Sequence, residues 1–101
     1  MKSILRGCRG RRPEHFREGQ DLIREGARSG NLFVLEEGEV EVSKGMVEVF
    51  RSCVPGTIFG EMGALLNVPH SATVTAATPV RAYRIENPSS FLGSDPEIAL
   101  H

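Results

Sequence analysis

Glycines at positions 19, 26, 30, 38, 45 and 56 cut the first half of the chain into short pieces, and this spacing constrains the fold more than any other feature. The pieces between them are rich in Val, Ile, Leu and Phe. Turn signals every ~8–12 residues between such runs suit antiparallel strands in a sandwich or barrel. Strands are predicted over 22–23, 32–35, 40–43, 46–54, 72–76 and 80–85. In Glu39-Val40-Glu41-Val42 the alternation is strict, so the valines should face a core and the glutamates water. Lys44-Gly45 reads as a tight hairpin turn. Glu36-Glu37-Gly38 reads as a second turn, with glycine free to take a positive φ.

Helix is confined to short segments. A single turn is predicted over 13–17. Met62, Leu65 and Leu66 fall at i, i+3 and i+4 and make one apolar face of a short helix over 61–66. Beyond Pro88, residues 89–92 and 96–101 read as helical, the second stretch opened by Asp95 as N-cap and Pro96 at its first position.

At 101 residues the chain is long enough for one domain and too short for two. No apolar run approaches the ~20 residues needed to cross a bilayer. The N-terminus has charges but no apolar stretch behind them, which does not fit a secretory signal. A soluble, cytoplasmic module is expected. The net charge of −1 hides an asymmetry. Lys2, Arg6, Arg9, Arg11 and Arg12 stand in the first twelve residues without an acidic neighbour, whereas the remainder holds seven basic and thirteen acidic side chains. Residues 1–12 are therefore read as a flexible basic arm ahead of a domain over 13–101. No aromatic residue lies in that arm, so nucleic-acid binding by base stacking is not expected. Cys8 and Cys53 show neither CxxC nor metal-ligand spacing and read as inert, reduced thiols.

The chemistry concentrates in PGTIFGEMGALLNVPHSATVTA, residues 55–76. Gly60 has no Cβ to keep a ligand from the backbone. Glu61 follows in the first turn of the short helix, where the dipole favours its charge and its oxygens can accept from a pair of hydroxyls. The open amides of that helix mouth suit a phosphate oxygen. In Pro69-His70-Ser71-Ala72-Thr73-Val74, proline stiffens a turn and the small residues leave their N–H groups accessible, as an oxyanion cradle requires.

Together the two fragments resemble the phosphate-binding cassette of the cyclic-nucleotide-binding domain family: Phe-Gly-Glu, small or apolar residues, a Leu-rich turn, then Pro-Arg-x-Ala-Thr/Ser-Val. The likeness extends upstream through Phe16, Gly19, Ile23, Gly26 and the LFVLEEGEVEV run, and downstream through 80–85 and Phe91. It implies a mainly β fold, an antiparallel β-roll (a double-stranded β-helix, jelly-roll-like) with short flanking helices. It also implies a regulatory module that binds cyclic AMP or cyclic GMP and responds by changing conformation. The ligand-binding residues it implies are Phe59, Gly60, Glu61, Met62, Gly63, His70, Ser71, Ala72 and Thr73. Glu61 would accept the ribose 2′-hydroxyl, and the amides of Gly60, Gly63, Ser71 and Ala72 would meet the cyclic phosphate. A hydroxyl residue at Ser71 is associated in the family with tolerance of cyclic GMP. The family closes its site with a C-terminal helix, and here that lid is expected to be truncated or absent.

One departure stands out: the family's phosphate-pairing arginine is replaced by His70. Histidine lacks the permanent charge and the forked donors of arginine. Losing a charged hydrogen bond of ~1.5–3 kcal/mol weakens binding ~10- to 150-fold. The alternative is a degenerate cassette used for protein interaction or homo-oligomerisation. An effector domain or partner protein is expected under either reading. An enzyme is not expected. His15, His70 and His101 are too scattered for a cupin-like metal site, and the glycines fit neither Walker nor Rossmann spacing.

Overall fold

The computed structural model describes Leu5, Cys8 and residues 10–88. Eight strands form two four-stranded antiparallel sheets. In chain order they are β1 (Glu14–Phe16), β2 (Asp21–Ile23), β3 (Leu32–Glu37), β4 (Val40–Lys44), β5 (Val47–Ser52), β6 (Ile58–Phe59), β7 (Thr73–Ala76) and β8 (Val80–Ile85). One sheet runs β1-β8-β3-β6 and the other β2-β7-β4-β5. The only helix given bounds among the described residues, α1 (Glu61–Leu66), joins β6 to the turn before β7. This is the β-roll architecture expected of the chain.

The alternation at 39–42 behaves as its period demands. Val40 and Val42 are buried, and Glu39 and Glu41 share Arg51 across the β4–β5 ladder. The inner core between the sheets gathers Ile23, Phe33, Leu35, Val40, Val42, Phe59, Val74, Ala76, Val80 and Ala82. The LFVL run of β3 is buried on both faces, which explains why it is apolar without alternating. Phe33 and Leu35 point into the inner core, whereas Leu32 and Val34 join Ile85 and Cys8 in a smaller outer cluster. Leu5, Ala64 and Leu65 pack on that outer cluster, so α1 rests on it.

Several local expectations change. The predicted helical turn over 13–17 is strand β1, because Glu14–Phe16 pairs antiparallel with Val80–Ala82. β3 runs through Glu36 and Glu37, leaving the reversal to Gly38 at φ 101. The β4–β5 turn centres on Gly45 and Met46, at φ 59 and 67, so both central residues are left-handed as the twist of a two-residue hairpin requires. Cys8, which lies in the segment expected to be a loose arm, is fully buried. Burial pushes its thiol up to about 11, while Cys53 is exposed. The apolar face predicted for α1 divides: Leu65 packs on the outer cluster, but Met62 and Leu66 are 55% and 60% exposed. The helices predicted beyond Pro88, and the expected state of the lid, lie outside the described residues.

Candidate functional site

α1 has only six residues, and both of its ends are set by left-handed backbone. Gly60, the N-cap, sits at φ 83 and ψ 8 and brings no side chain to the helix mouth. The first amides of the helix therefore have neither an intrahelical acceptor nor a side-chain cap. Asn67 ends the helix at φ 53, and Val68 N–H donates to the Gly63 carbonyl at 3.2 Å. The chain then turns through Pro69 and His70 into β7.

A cavity of about 280 Å³ opens between this helix mouth and the 70–72 turn. Phe59, Gly60, Glu61, Met62, Gly63, His70, Ser71 and Ala72 all line it, so sequence positions up to thirteen apart converge on one hollow. Thr73, the ninth residue singled out by sequence, does not line it. Its Oγ1 instead accepts the Glu25 amide at 3.0 Å, which ties the β2–β3 loop to the start of β7. The remaining lining is apolar: Ile23, Val42, Phe50, Ile58 and Val74 come from five strands, β2, β4, β5, β6 and β7. A larger hollow of about 640 Å³, around Phe16, Pro79 and Arg81, contains none of these residues.

His70 takes an unexpected position. It is 5% exposed, with its Nε2 2.8 Å from Ser29 Oγ. Its backbone is bound in both directions to the same loop: His70 N–H donates to Ala27 O at 2.9 Å, and Gly26 N–H donates to His70 O at 2.8 Å. The ring packs against the backbone of two glycines. A Cβ on Gly63 would come within 2.6 Å of His70 Nδ1, and one on Gly60 within 2.6 Å of Ile23 Cδ1 and 3.2 Å of His70 Cε1. At these positions the missing side chains make room for the protein's own Ile23 and His70. Burial lowers the His70 pKa below its ordinary value, favouring the neutral ring. Ser29 and the loop around it carried no recognisable signal, since the partner of His70 lies 41 residues away in sequence.

Residues 13–91, which include both faces of the cavity, match the family model for the cyclic nucleotide-binding domain. The chain belongs to this family. The cyclic nucleotide-binding domain described here is 40% identical over 68 residues to the cAMP-dependent protein kinase regulatory subunit of Eremothecium gossypii, covering 67% of this chain and 15% of that protein. It is 34% identical over 73 residues to cGMP-dependent protein kinase 2 of Homo sapiens, covering 71% of this chain and 9% of the kinase. Among solved structures, a cAMP-binding acyltransferase from Mycobacterium smegmatis superposes with a TM-score of 0.75 at 30% identity, covering 86% of this chain and 28% of that one. The domain spans less than a third of each of these relatives. No helix among the described residues is long and apolar enough to cross a membrane.

Proposed function

We propose that this domain binds a cyclic nucleotide in the cavity between α1 and the 70–72 turn and acts as the regulatory part of a larger assembly. The observation that carries the reading is the convergence of Gly60–Gly63 and His70–Ala72 on one hollow of the right scale, in a chain of this family. Glu61 accepts the ribose 2′-hydroxyl. The uncapped amides at the start of α1, with those of Ser71 and Ala72, face the cyclic phosphate. Ile23, Val42, Phe50 and Met62 offer apolar surface to the base.

Regulation follows from where α1 rests. A ligand that draws the helix mouth toward itself moves Ala64 and Leu65, and these pack on the outer cluster that also holds Leu5 and Cys8. The effector is an attached domain or a partner protein, as the kinase and acyltransferase relatives suggest. Those relatives also favour the nucleotide over an interaction-only role. The test is a thermal-shift series with cyclic AMP, cyclic GMP and the matching linear monophosphates. A rise in Tm with the cyclic forms supports the reading. No shift at millimolar cyclic nucleotide refutes it.

A further inference from the structure

The lining of the cavity has an unusual charge inventory. Its ionisable side chains among the described residues are Glu61 and His70, and neither lysine nor arginine lines it. His70 does not stand in for the missing cation. The residue is 5% exposed, its ring packed against Gly60 and Gly63 with Nε2 engaged by Ser29. Burial further disfavours the charged ring. A phosphodiester entering this cavity brings a negative charge toward a carboxylate and leaves water for backbone N–H groups and the Ser71 hydroxyl, all of them neutral donors. Buried charge without a counter-charge is strongly disfavoured.

The other ligand contacts do not depend on that phosphate. Glu61 can accept from the ribose 2′-hydroxyl whether or not the 3′ and 5′ oxygens carry a phosphate. The apolar surface of Ile23, Val42 and Phe50 meets a base equally well in either case. An uncharged 5′-hydroxyl can use the same amides and carries no charge to desolvate.

We propose that the cavity takes an uncharged ribonucleoside about as readily as the corresponding cyclic nucleotide, because the position that would reward the phosphate is an inward-facing His70 bonded to Ser29. This rests on the cyclic-nucleotide reading of the site. Selectivity for the phosphate has been lost while recognition of ribose and base is retained.

The test is calorimetric titration of the 101-residue chain with adenosine, guanosine and their 3′,5′-cyclic monophosphates at pH 7.5. Each nucleoside should bind within about tenfold of its cyclic nucleotide, a difference of no more than one decade in Kd. His70→Arg should then tighten the cyclic nucleotides by ~10- to 150-fold relative to the matching nucleosides. Because an arginine in a buried position can prevent folding, the wild-type comparison is the deciding arm. Glu61→Gln gives a second one: it removes a hydroxyl acceptor for both ligands but also the charge that opposes the phosphate, so it should weaken the nucleoside more than the cyclic nucleotide, and the reverse order would count against the proposal. If cyclic nucleotides bind and nucleosides remain unbound at about a hundredfold higher concentration, the proposal is overturned and the cyclic-nucleotide reading stands. If neither class binds, both are overturned.

Discussion

Replacing Gly63 with alanine tests the inward placement of His70 directly. The new Cβ would lie 2.6 Å from Nδ1 and 2.9 Å from Cε1 of that ring, with the Val68 carbonyl next at 3.2 Å. Real Cβ atoms do not approach so closely, so the ring must move and its 2.8 Å bond to Ser29 must stretch or break. Loss of such a hydrogen bond costs about 0.5–1.5 kcal/mol, and overpacking a tight interior about 1–3 kcal/mol. Alanine in a helix offsets up to about 1 kcal/mol of this relative to glycine. The net expectation for Gly63→Ala is a loss of about 1–3 kcal/mol, or a fall in Tm of at least about 4 °C for a domain of this size.

The same substitution made on a His70→Ala background should behave differently. The ring is gone, and the nearest remaining neighbour is a carbonyl that needs to give by only a few tenths of an ångström. Gly63→Ala should then be neutral or slightly stabilising, leaving a coupling of about 1–3 kcal/mol between the two sites. Urea unfolding of the wild type, both single variants and the double variant measures this. Effects that add within about 0.5 kcal/mol would refute the placement of the ring, and with it the argument that the cavity lacks a cation.

Three further outcomes are expected. His70 has its folded-state pKa lowered by burial, so it contributes stability that is fully present above its unfolded value of 6.5. That stability is lost as pH falls from there through the folded value, so urea midpoints compared at pH 7.5 and pH 5 should drop more for wild type than for His70→Asn. Leu66→Ala should change stability by less than about 0.5 kcal/mol because the side chain is 60% exposed, whereas Leu32→Ala, fully buried, should cost about 2–5 kcal/mol; equal shifts in Tm would contradict the division of α1's apolar face. In the native chain a maleimide or disulfide reagent at pH 8 should label Cys53 quickly and Cys8 only after unfolding, since the buried thiol is pushed up to about 11; fast reaction of both thiols would show that Cys8 is not held in the outer cluster.

Much of the fold was legible because it rests on short-range rules. Period-2 alternation at 39–42 and the glycine-bounded apolar runs locate β2, β3, β4 and β5, and the apolar runs at 72–76 and 80–85 locate β7 and β8, without knowledge of their partners. The misreadings occur where too few residues carry the pattern. β1 has three residues, too short for a period to show, and exists because β8 pairs with it. In α1 the i, i+3, i+4 spacing suggested one buried face. A six-residue helix closed by left-handed Asn67 turns only Ala64 and Leu65 toward the outer cluster, so Leu66 faces solvent despite the spacing.

The candidate site divides along the same line, and its less legible half matters more for ligand choice. A motif within twenty residues of chain showed which backbone amides and which carboxylate share a cavity. The direction of one side chain was beyond it. Gly60 was read as a gap through which a ligand reaches the backbone, yet a gap admits whatever lies nearest. Here the nearest groups are Ile23 and His70, brought there by the 24–30 loop through its backbone bonds to His70 and by Ser29 through its side chain. The exchange of arginine for histidine is therefore more than the removal of a charge. A guanidinium on its long stem carries its charge outward from the turn, whereas an imidazole is short enough to fold back against two glycines and take a serine as partner. On the proposed reading, phosphate recognition is weakened twice, by the absent cation and by a ring held against two glycines and Ser29.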